Sequence, residues 1–311
     1  MIRVALSSND DPEPISVSVC ICTYKRPKLL TRLLKGLDVQ ETDGILDISV
    51  IVVDNDMARS AQAIAEDNKH TSRLKLDYYV VEEQNISLAR NCAVKNAKSE
   101  YIVFIDDDEY PGKRWLLDLL QTIKDYNADG ALGPVLPDFE VDPPSWIVKG
   151  RLLERKTFAT GTILKDARHT RTGNVMLKKE LFRSESQPFD PKFGRTGGED
   201  TDFFRRKLAE GGRFVWCNEA EVFEHVPPER ATRHYLLKRA LLRGEINSIG
   251  LSPISLSMIK SITAITLYTI ILPFLMLLGQ GYFMKFLIKE CDHLGKVFGV
   301  LGIRFQKTRS F

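Results

Sequence analysis

The sequence feature that most restricts the fold is a regular alternation of apolar runs with helical segments between residues 15 and 136. The apolar runs, which we predict as strands, are 15–24, 47–56, 76–84, 101–105 and, after a further predicted helix, 130–137. Between them, the leucines of 26–37 fall on one helical stripe, and 86–98 is also predicted as a helix. Strands that alternate with helices form βαβ units, in which parallel strands are covered on both faces. The sequence therefore predicts an α/β fold with a mostly parallel sheet flanked by helices.

Composition excludes several classes of function. The net charge of +3 is too small to indicate a nucleic-acid-binding protein, and the main domain shows no basic face interleaved with aromatic residues. The five cysteines are scattered and form no CxxC pair, which argues against a zinc site or a disulfide framework and favours a reducing compartment. The first residues are polar and acidic, so we do not expect a signal peptide.

Polar clusters follow three of the predicted strands at the point where each strand ends. They read CTYKRP after the first strand, DND after the second and DDDE after the fourth. In an open α/β sheet, ligands bind beyond the carboxyl ends of the strands. The coincidence of the three clusters predicts a nucleotide or phosphate site at this edge of the sheet.

The cluster in YIVFIDDDEYP, residues 101–111, places acidic residues directly after a buried run. In an extended segment, Asp106 and Asp108 would point to one side and Asp107 to the other. Two converging carboxylates that leave room for further ligands suit Mg²⁺ or Mn²⁺ shared with substrate phosphates. The alternative is a solvated acidic turn or a helix cap. The second acidic cluster, DND, at another strand end favours the metal site.

A second acidic group, Glu199 and Asp200 in GGED, lies at the predicted start of a helix. Carboxylates are stabilised there by the free backbone N–H groups, so helix capping is one interpretation. The other is a general base that takes a proton from an attacking hydroxyl group. Next to a metal and diphosphate site, the second interpretation is favoured.

The last part of the chain combines a basic helix with a long apolar stretch. The helix, 229–245, alternates arginine and lysine with leucine, and the uncharged stretch 261–284 lies between Lys260 and Lys285. Its length is sufficient to cross a bilayer core of about 30 Å. Because Pro273 and two glycines interrupt it, a bent or shallowly embedded pair of helices is as plausible as a single span. Both interpretations predict membrane association; an ordinary solvated helix is the alternative for 229–245.

Four blocks of this sequence, in this order, resemble family 2 glycosyltransferases of the GT-A fold. The blocks are VSVCICTYKRPKLLTRLL, VVDND, NISLARNCAVKNAKSEYIVFIDDDE and GGEDTDFFRRKLAEGG. Within the family, the RTGN and HVPPERA segments are similar to bacterial glucosyltransferases that build succinoglycan-type exopolysaccharides. The resemblance implies a GT-A catalytic domain over 1–245, with a nucleotide-binding half of about 15–136 and an acceptor half of about 137–245. We predict membrane-associated C-terminal helices over 246–311.

The resemblance also implies roles for individual residues. The donor-binding residues would be Thr23, Tyr24, Arg26, Asp54, Arg90, Asp106, Asp107, Gly173 and Asn174. A tight turn that opens a strand is the alternative for the last two. Asp108 and Asp106, with His225, would hold the metal, and Asp200, with Glu199 beside it, would supply the catalytic base. A purely structural histidine is the alternative for His225.

The implied reaction is metal-dependent and inverting, with Mn²⁺ or Mg²⁺ as cofactor. The donor would be a UDP-hexose such as UDP-glucose, and the acceptor a polyprenyl-diphosphate-linked saccharide contacted by Arg230, Arg239 and Arg243. The expected location is the bacterial inner membrane, with the catalytic domain on the cytoplasmic face. One alternative is a sugar nucleotidyltransferase, which would need a glycine-rich loop after the first strand. The other is a membrane-anchored nucleotide-sugar-binding protein without catalytic activity.

Overall fold

The computed structural model describes residues 13–303, which form two compact units. The first unit comprises 13–134, Thr157–Gly194 and Gly198–Val222. The second comprises Val135–Lys156, Arg195–Gly197 and 223–303. Both units are discontinuous along the chain, so these structural divisions differ from the predicted functional boundary at residue 245.

The secondary structure alternates strands and helices through the first unit and becomes helical toward the end of the described chain. The strands are β1 (Ile15–Thr23), β2 (Leu46–Asp54), β3 (Lys75–Val80), β4 (Tyr101–Phe104), β5 (Glu109–Pro111), β6 (Gly130–Leu132), β7 (Val135–Phe139), β8 (Ile163–Leu164), β9 (Val175–Lys178), β10 (Phe214–Trp216) and β11 (Val222–Val226). The α-helices are α1 (Pro27–Asp38), α2 (Gln62–Thr71), α3 (Ile86–Asn96), α4 (Trp115–Asp125), α5 (Ser145–Gly150), α6 (Glu199–Ala209), α7 (Arg233–Ile246), α8 (Leu256–Leu277) and α9 (Gln280–Val300).

The first unit is built on an eight-stranded sheet in the order β3-β2-β1-β4-β9-β6-β10-β8. Strand β1 runs parallel to both β2 and β4, β2 runs parallel to β3, and β6 runs parallel to β10. Strand β9 is antiparallel to β4 and β6, and β8 is antiparallel to β10. The predicted α/β fold with a mostly parallel sheet is therefore confirmed.

The central strands are apolar along their whole length because both of their faces are covered. Val17, Val19 and Ile21 of β1 have no exposed surface. The predicted leucine stripe of α1 is also buried, through Leu30, Leu33, Leu34 and Leu37. Since β1 and β2 pair in register from Ile15 and Leu46 to Thr23 and Asp54, the polar residues that end both strands lie side by side.

The strand predicted over residues 130–137 is interrupted at Gly133 and Pro134, which divide it into β6 and β7. A side chain at Gly133 would bring its Cβ to 2.3 Å from the Ala220 carbonyl oxygen, so only glycine fits. Pro134 has no N–H to donate to a neighbouring strand. The break places β6 in the eight-stranded sheet and β7 in the second unit.

The apolar stretch predicted over 261–284 is a pair of helices, as one of the two interpretations proposed. Helix α8 ends at Leu277 and α9 begins at Gln280, with the turn at Gly279 in a positive-φ conformation (φ 114°) that favours glycine. Pro273 lies inside α8 and does not end it. Helix α8 is long enough and apolar enough to cross a membrane, a statement about its length and composition only. Within residues 13–303 it is the sole helix of which this is true.

In the second unit, α9 packs closely against α7. Three glycines permit the contact: a Cβ at Gly244 would lie 2.1 Å from the Asp292 carbonyl oxygen, and one at Gly295 would lie 2.1 Å from that of Leu241. Gly299 is equally tight against Ser248. Because the helix backbones touch at these points, α7 and α9 form a rigid pair.

Asn174 joins three segments of the first unit with one buried side chain. Its Oδ1 accepts a hydrogen bond from Trp115 Nε1 at 2.7 Å, and its Nδ2 donates to the carbonyl oxygens of Pro134 (2.8 Å) and Ala220 (2.7 Å). Its backbone is left-handed, with φ 65°. These bonds tie the start of β9 to α4 and to the interrupted strand.

We predict that Asn174→Ala lowers the free energy of unfolding by about 3 kcal/mol, because the buried Trp115 Nε1 and the buried Ala220 carbonyl oxygen lose their partner and the Pro134 carbonyl oxygen keeps only the N–H of Val222. Asn127 is the matched control, since it is exposed and also left-handed, with φ 44°. Asn127→Ala should cost about 1 kcal/mol or less. Urea unfolding followed by tryptophan fluorescence measures both, and equal losses would contradict the importance of the hydrogen bonds.

Candidate active site

The segment that follows β1 reaches the aspartate cluster that follows β4. The Thr23 hydroxyl donates to Asp107 Oδ2 at 2.8 Å. Arg26 Nη1 lies 2.8 Å from Asp107 Oδ1 and 3.1 Å from Asp108 Oδ2. Tyr24, which lies between Thr23 and Arg26 in the sequence, is half-buried. The structure thus brings the predicted donor-binding residues of the first polar cluster against two of the three aspartates.

The three aspartates lie in a turn and not in an extended strand. Strand β4 has already ended, and Glu109 N–H donates to the Asp106 carbonyl oxygen at 3.1 Å. The prediction that Asp106 and Asp108 share a side by alternation is therefore wrong in its reasoning, since alternation holds only in extended segments. The buried residue is Asp107. Burial raises its pKa, and the guanidinium group of Arg26 partly counters that rise.

A chain of charges joins this turn to the first residue of α6. Arg90, from α3, is buried and pairs through Nη1 with Glu199 Oε1; its Nη2 lies 3.5 Å from Asp106 Oδ1. Burial by itself would lower the pKa of Arg90, but the carboxylates of Glu199 and Asp106 raise it above its usual value. Arg90 therefore stays charged in a buried position between the aspartate turn and α6.

The two acids of GGED have different surroundings. Glu199 is buried, and its Oε2 has no hydrogen-bond partner within the described chain. Asp200 is half-buried, and its Oδ1 accepts the N–H of Thr201 at 2.7 Å. The residue that caps α6 is Gly198, whose φ of 98° requires glycine. Neither acid is the N-cap residue, but Asp200 accepts a backbone N–H of the first turn, so stabilisation of the helix start accounts for part of its environment and its role as a base stays a prediction.

Gly173 brings backbone close to the aspartate turn. A Cβ at this position would lie 2.8 Å from Glu109 Oε1 and 3.1 Å from Asp106 Oδ2. The side chain of the next residue, Asn174, is fully engaged in the bonds described above, which fits the predicted alternative of a tight turn that opens β9. A contact with a donor sugar here would have to come from the backbone at Gly173.

Asp54, at the end of β2, is completely buried. Its Oδ1 accepts the N–H of Asp56 at 3.1 Å, and its Oδ2 accepts the N–H of Ala61 at 2.7 Å and the hydroxyl of Tyr78 at 2.9 Å. Burial, followed by the hydrogen bond to Asp54, raises the pKa of Tyr78. Asp54 therefore organises the loop after β2, and its direct contact with a nucleotide stays a prediction.

Two asparagines of the NISLARN segment shape the site and were missed by the sequence analysis. Asn85 caps α3, since its Oδ1 accepts the N–H groups of Ser87 and Leu88. Asn91 exchanges two hydrogen bonds with the backbone of Phe189, at 2.7 and 2.9 Å. The signal for Asn85 was present, because an asparagine directly before a predicted helix is a preferred cap residue. No sequence pattern pointed to the partner of Asn91.

The remaining predicted residues lie in the second unit, where they have partners of their own. The pairs there are His225 Nε2 with Glu140 Oε2 (3.5 Å), Arg230 with Glu224 (3.2 Å) and Arg243 with Asp292 (2.6 Å), and Arg239 is exposed. Their predicted roles with metal or acceptor stay predictions.

The residues of the aspartate turn fit a divalent cation only as part of a larger set. Within residues 13–303, no three His, Cys, Asp or Glu side chains are arranged to hold an ion by themselves. The side chain of Asp106 is 47% exposed beside Gly173, where the missing Cβ leaves space, and that of Asp108 is 11% exposed. Carboxylate oxygens in this number suit a hard cation that takes its other ligands from phosphates and water.

Comparisons with known proteins bear on this site. The chain matches the family model described as glycosyl transferase family 2 over residues 18–184. It is 30% identical over 303 residues to the succinoglycan biosynthesis protein ExoM of Rhizobium meliloti (strain 1021), covering 94% of this chain and 95% of that protein. It is 27% identical over 189 residues to the poly(ribitol-phosphate) beta-N-acetylglucosaminyltransferase TarS of Staphylococcus aureus (strain MW2), covering 56% of this chain and 32% of that protein.

Solved structures share the fold. The crystal structure of S. aureus TarS 1–349 in complex with UDP has a TM-score of 0.54 and 18% identity, covering 94% of this chain and 93% of that one. The same protein in complex with UDP-GlcNAc has a TM-score of 0.51 and 19% identity, covering 75% and 70%. At this level of identity the likeness shows the fold alone.

The family model covers more than half of the chain, and the likeness to ExoM extends over nearly all of it. The predicted resemblance is thereby confirmed, and the two alternatives, a sugar nucleotidyltransferase and a binding protein without catalytic activity, are set aside. The protein belongs to glycosyl transferase family 2 and is a glycosyltransferase.

Proposed function

We propose that the protein transfers a hexose, with inversion, from a UDP-sugar such as UDP-glucose to a lipid-linked saccharide during the synthesis of a bacterial surface polysaccharide. The observation that carries this proposal is the ion-pair chain from Asp106 through Arg90 to Glu199. It connects the aspartate turn, which suits a cation and a diphosphate, to the helix start that bears Asp200.

The donor class is supported by the relatives and by the charges of the site. TarS, which shares the fold, has been crystallised with UDP and with UDP-GlcNAc. A nucleoside diphosphate carries negative charge that must be balanced when it departs as the leaving group. Arg90 is held charged in the site, and Arg26 lies between Asp107 and Asp108 with its side chain 41% exposed. Both arginines are available to bind phosphate oxygens.

Asp108 and Asp106 would hold a Mn²⁺ or Mg²⁺ ion. A bound divalent cation would offset the charge that develops on the departing diphosphate. Thr23 and Arg26 hold Asp107, Arg26 also pairs with Asp108, and Arg90 lies near Asp106. A cation bound by Asp106 and Asp108 would therefore share these carboxylates with the two arginines.

Asp200 is the better candidate for the catalytic base of the two acids in GGED. The carboxylate of Glu199 is already engaged by the guanidinium group of Arg90. Asp200 is half-buried on the same helix turn and has no comparable cationic partner among its described contacts. Removal of the acceptor proton by Asp200 would allow the hydroxyl group to attack the anomeric carbon from the face opposite the diphosphate, and this single displacement inverts the configuration.

The acceptor and location are proposed from the second unit and from ExoM, whose name places it in succinoglycan biosynthesis. Arg230, Arg239 and Arg243 lie on or next to α7, and α8 follows as a long apolar helix. A polyprenyl-diphosphate-linked saccharide would present both a negative charge and a lipid chain to such a surface. We therefore propose action at the cytoplasmic face of the inner membrane.

The first test separates binding of the donor from catalysis. Asp108→Ala and Asp200→Asn should each abolish transfer, and for Asp200→Asn we expect a loss of about 100- to 10,000-fold. Asp108→Ala alone should sharply weaken the binding of UDP with Mn²⁺, measured by titration calorimetry. Asp77→Asn, an exposed acid of β3, is the control and should change neither quantity. Equal UDP affinity of the Asp108 and Asp200 variants would contradict the assigned roles.

The second test asks whether the ion pair with Glu199 holds Arg90 in place for donor binding. Glu199→Gln keeps the shape of the side chain and removes its charge, so we expect the free energy of unfolding to fall by about 1.5–3 kcal/mol and UDP binding to weaken. Glu210→Gln, at the residue directly after the same helix, removes a carboxylate that pairs with Lys207 and is 57% exposed, and should cost no more than about 1 kcal/mol. If both variants lose the same stability and bind UDP normally, Glu199 does not hold Arg90 for the donor.

A further inference from the structure

The contact between α8 and α9 includes buried polar pairs beside apolar contacts such as that of Tyr268 with Phe286. Along this seam, the Thr269 hydroxyl donates to Glu290 Oε1 at 2.6 Å, and Ser261 Oγ lies 3.1 Å from His293 Nδ1. Ser261 and Glu290 are both buried. In a water-soluble helix pair, the buried face is apolar and the exposed face is polar. This pair departs from that pattern, because polar groups are buried beside apolar ones and large apolar side chains are exposed on the outside.

The opposite face of α8 is apolar and exposed. It carries Ile259, Ile262, Ile270, Phe274 and Leu277, which we call the outer stripe. Their exposed fractions run from 54% to 85%, and their spacing keeps them on one side of the helix. An apolar stripe of this length on a soluble surface would be expected to have a partner.

The threonines near the outer stripe form hydrogen bonds between their hydroxyl groups and the backbone of α8. Thr263 and Thr266 donate to the carbonyl oxygens of Ile259 (3.0 Å) and Ile262 (3.1 Å), one turn earlier in the same helix. Thr31 and Thr71 of the first unit form the same kind of bond, so the bond does not by itself indicate hydrocarbon, but it satisfies the hydroxyl groups as a hydrocarbon surface requires. The outer face of α8 therefore presents methyl groups with its polar atoms satisfied internally.

Helix α9 prevents α8 from crossing a bilayer. It runs antiparallel beside α8, as the paired positions show, and carries charged residues along its length, including Lys285, Lys289, Asp292 and Lys296. A spanning α8 would take these charges into the hydrocarbon core, where each costs about 2.5–3.5 kcal/mol or more. The close backbone contacts between α9 and α7 oppose separation of the two helices.

We infer that α8 lies in the plane of the membrane, with its outer stripe in the acyl region of one leaflet of an anionic phospholipid bilayer. The exposed cations Lys260, Lys285 and Lys289 at the flanks of the hairpin would meet the acidic headgroups. The inference specifies the membrane contact of the proposed function. It rests on the polarity of the second unit and not on the identity of the sugar donor.

The first experiment determines the topology of α8. Single cysteines replace two exposed residues, Ser252 before the N-terminus of α8 and Leu278 after its C-terminus. Labelling of each cysteine by a membrane-impermeant maleimide is measured in inverted vesicles and in intact spheroplasts. The unmodified chain, with its five native cysteines, supplies the background. We expect both positions to label from the cytoplasmic side alone. Labelling from opposite sides would show that α8 spans the membrane and would overturn the inference.

The second experiment tests the outer stripe with the purified full chain and vesicles of phosphatidylcholine and phosphatidylglycerol. Ile262→Glu combined with Ile270→Glu should weaken partitioning at least about tenfold, because two side chains that leave water are replaced by charges. The control combines Val39→Glu with Val148→Glu, whose exposed fractions of 58% and 55% match the 54% and 60% of the two isoleucines. It should partition like the unmodified chain.

Sedimentation of both double variants and of the unmodified chain without lipid identifies a different partner. If the unmodified chain is a dimer that the stripe variant converts to a monomer, and vesicles bind neither, a second copy covers the stripe and the inference fails. Equal vesicle binding by the stripe and control variants would also overturn it. UDP affinity, measured in parallel, should be unchanged in both, so that a failure of the proposed function is recognised separately.

Discussion

The buried charge of Arg90 is the interaction on which the site depends. A guanidinium group away from water is stable only with carboxylates beside it, and the chain supplies Glu199 from the start of α6 and Asp106 from the turn after β4. These residues are far apart in sequence, yet the three charges require one another. Arg90 therefore connects the turn after β4 of the eight-stranded sheet with the helix that bears the proposed base, and it places positive charge where a diphosphate would depart in the proposed reaction.

The second unit is distinguished by where its helices place polar and apolar side chains. Its α8 and α9 enclose hydroxyl, imidazole and carboxyl groups and leave an apolar stripe outside, which is the arrangement expected where hydrocarbon replaces water. If α8 lies in the membrane as inferred above, the lysines at the flanks of the hairpin would meet acidic lipid headgroups. The enzyme and the proposed lipid-linked acceptor would then be confined to one surface.

Local pattern was sufficient for the sheet and for the grouping of polar clusters, because apolar runs bounded by polar residues mark strands that are buried on both faces. It failed at the aspartate turn, where the reasoning assumed an extended chain and the structure has a turn that buries Asp107 instead. It also failed at 130–137, where the tight approach of Ala220 to Gly133 interrupts the strand. In both places the deciding contact comes from a distant part of the sequence.

By itself the sequence determined the α/β class, the family blocks, the identity of the acids and the presence of a long apolar segment near the C-terminus, since each depends on residue order alone. The tertiary structure decided which acids pair with Arg90 and directed the side chain of Asn174 into hydrogen bonds that hold the fold together. It also decided that hydroxyl groups of α8 face α9. Those outcomes depend on which side chains meet across the fold, and a pattern read along one chain contains no distances between its remote parts.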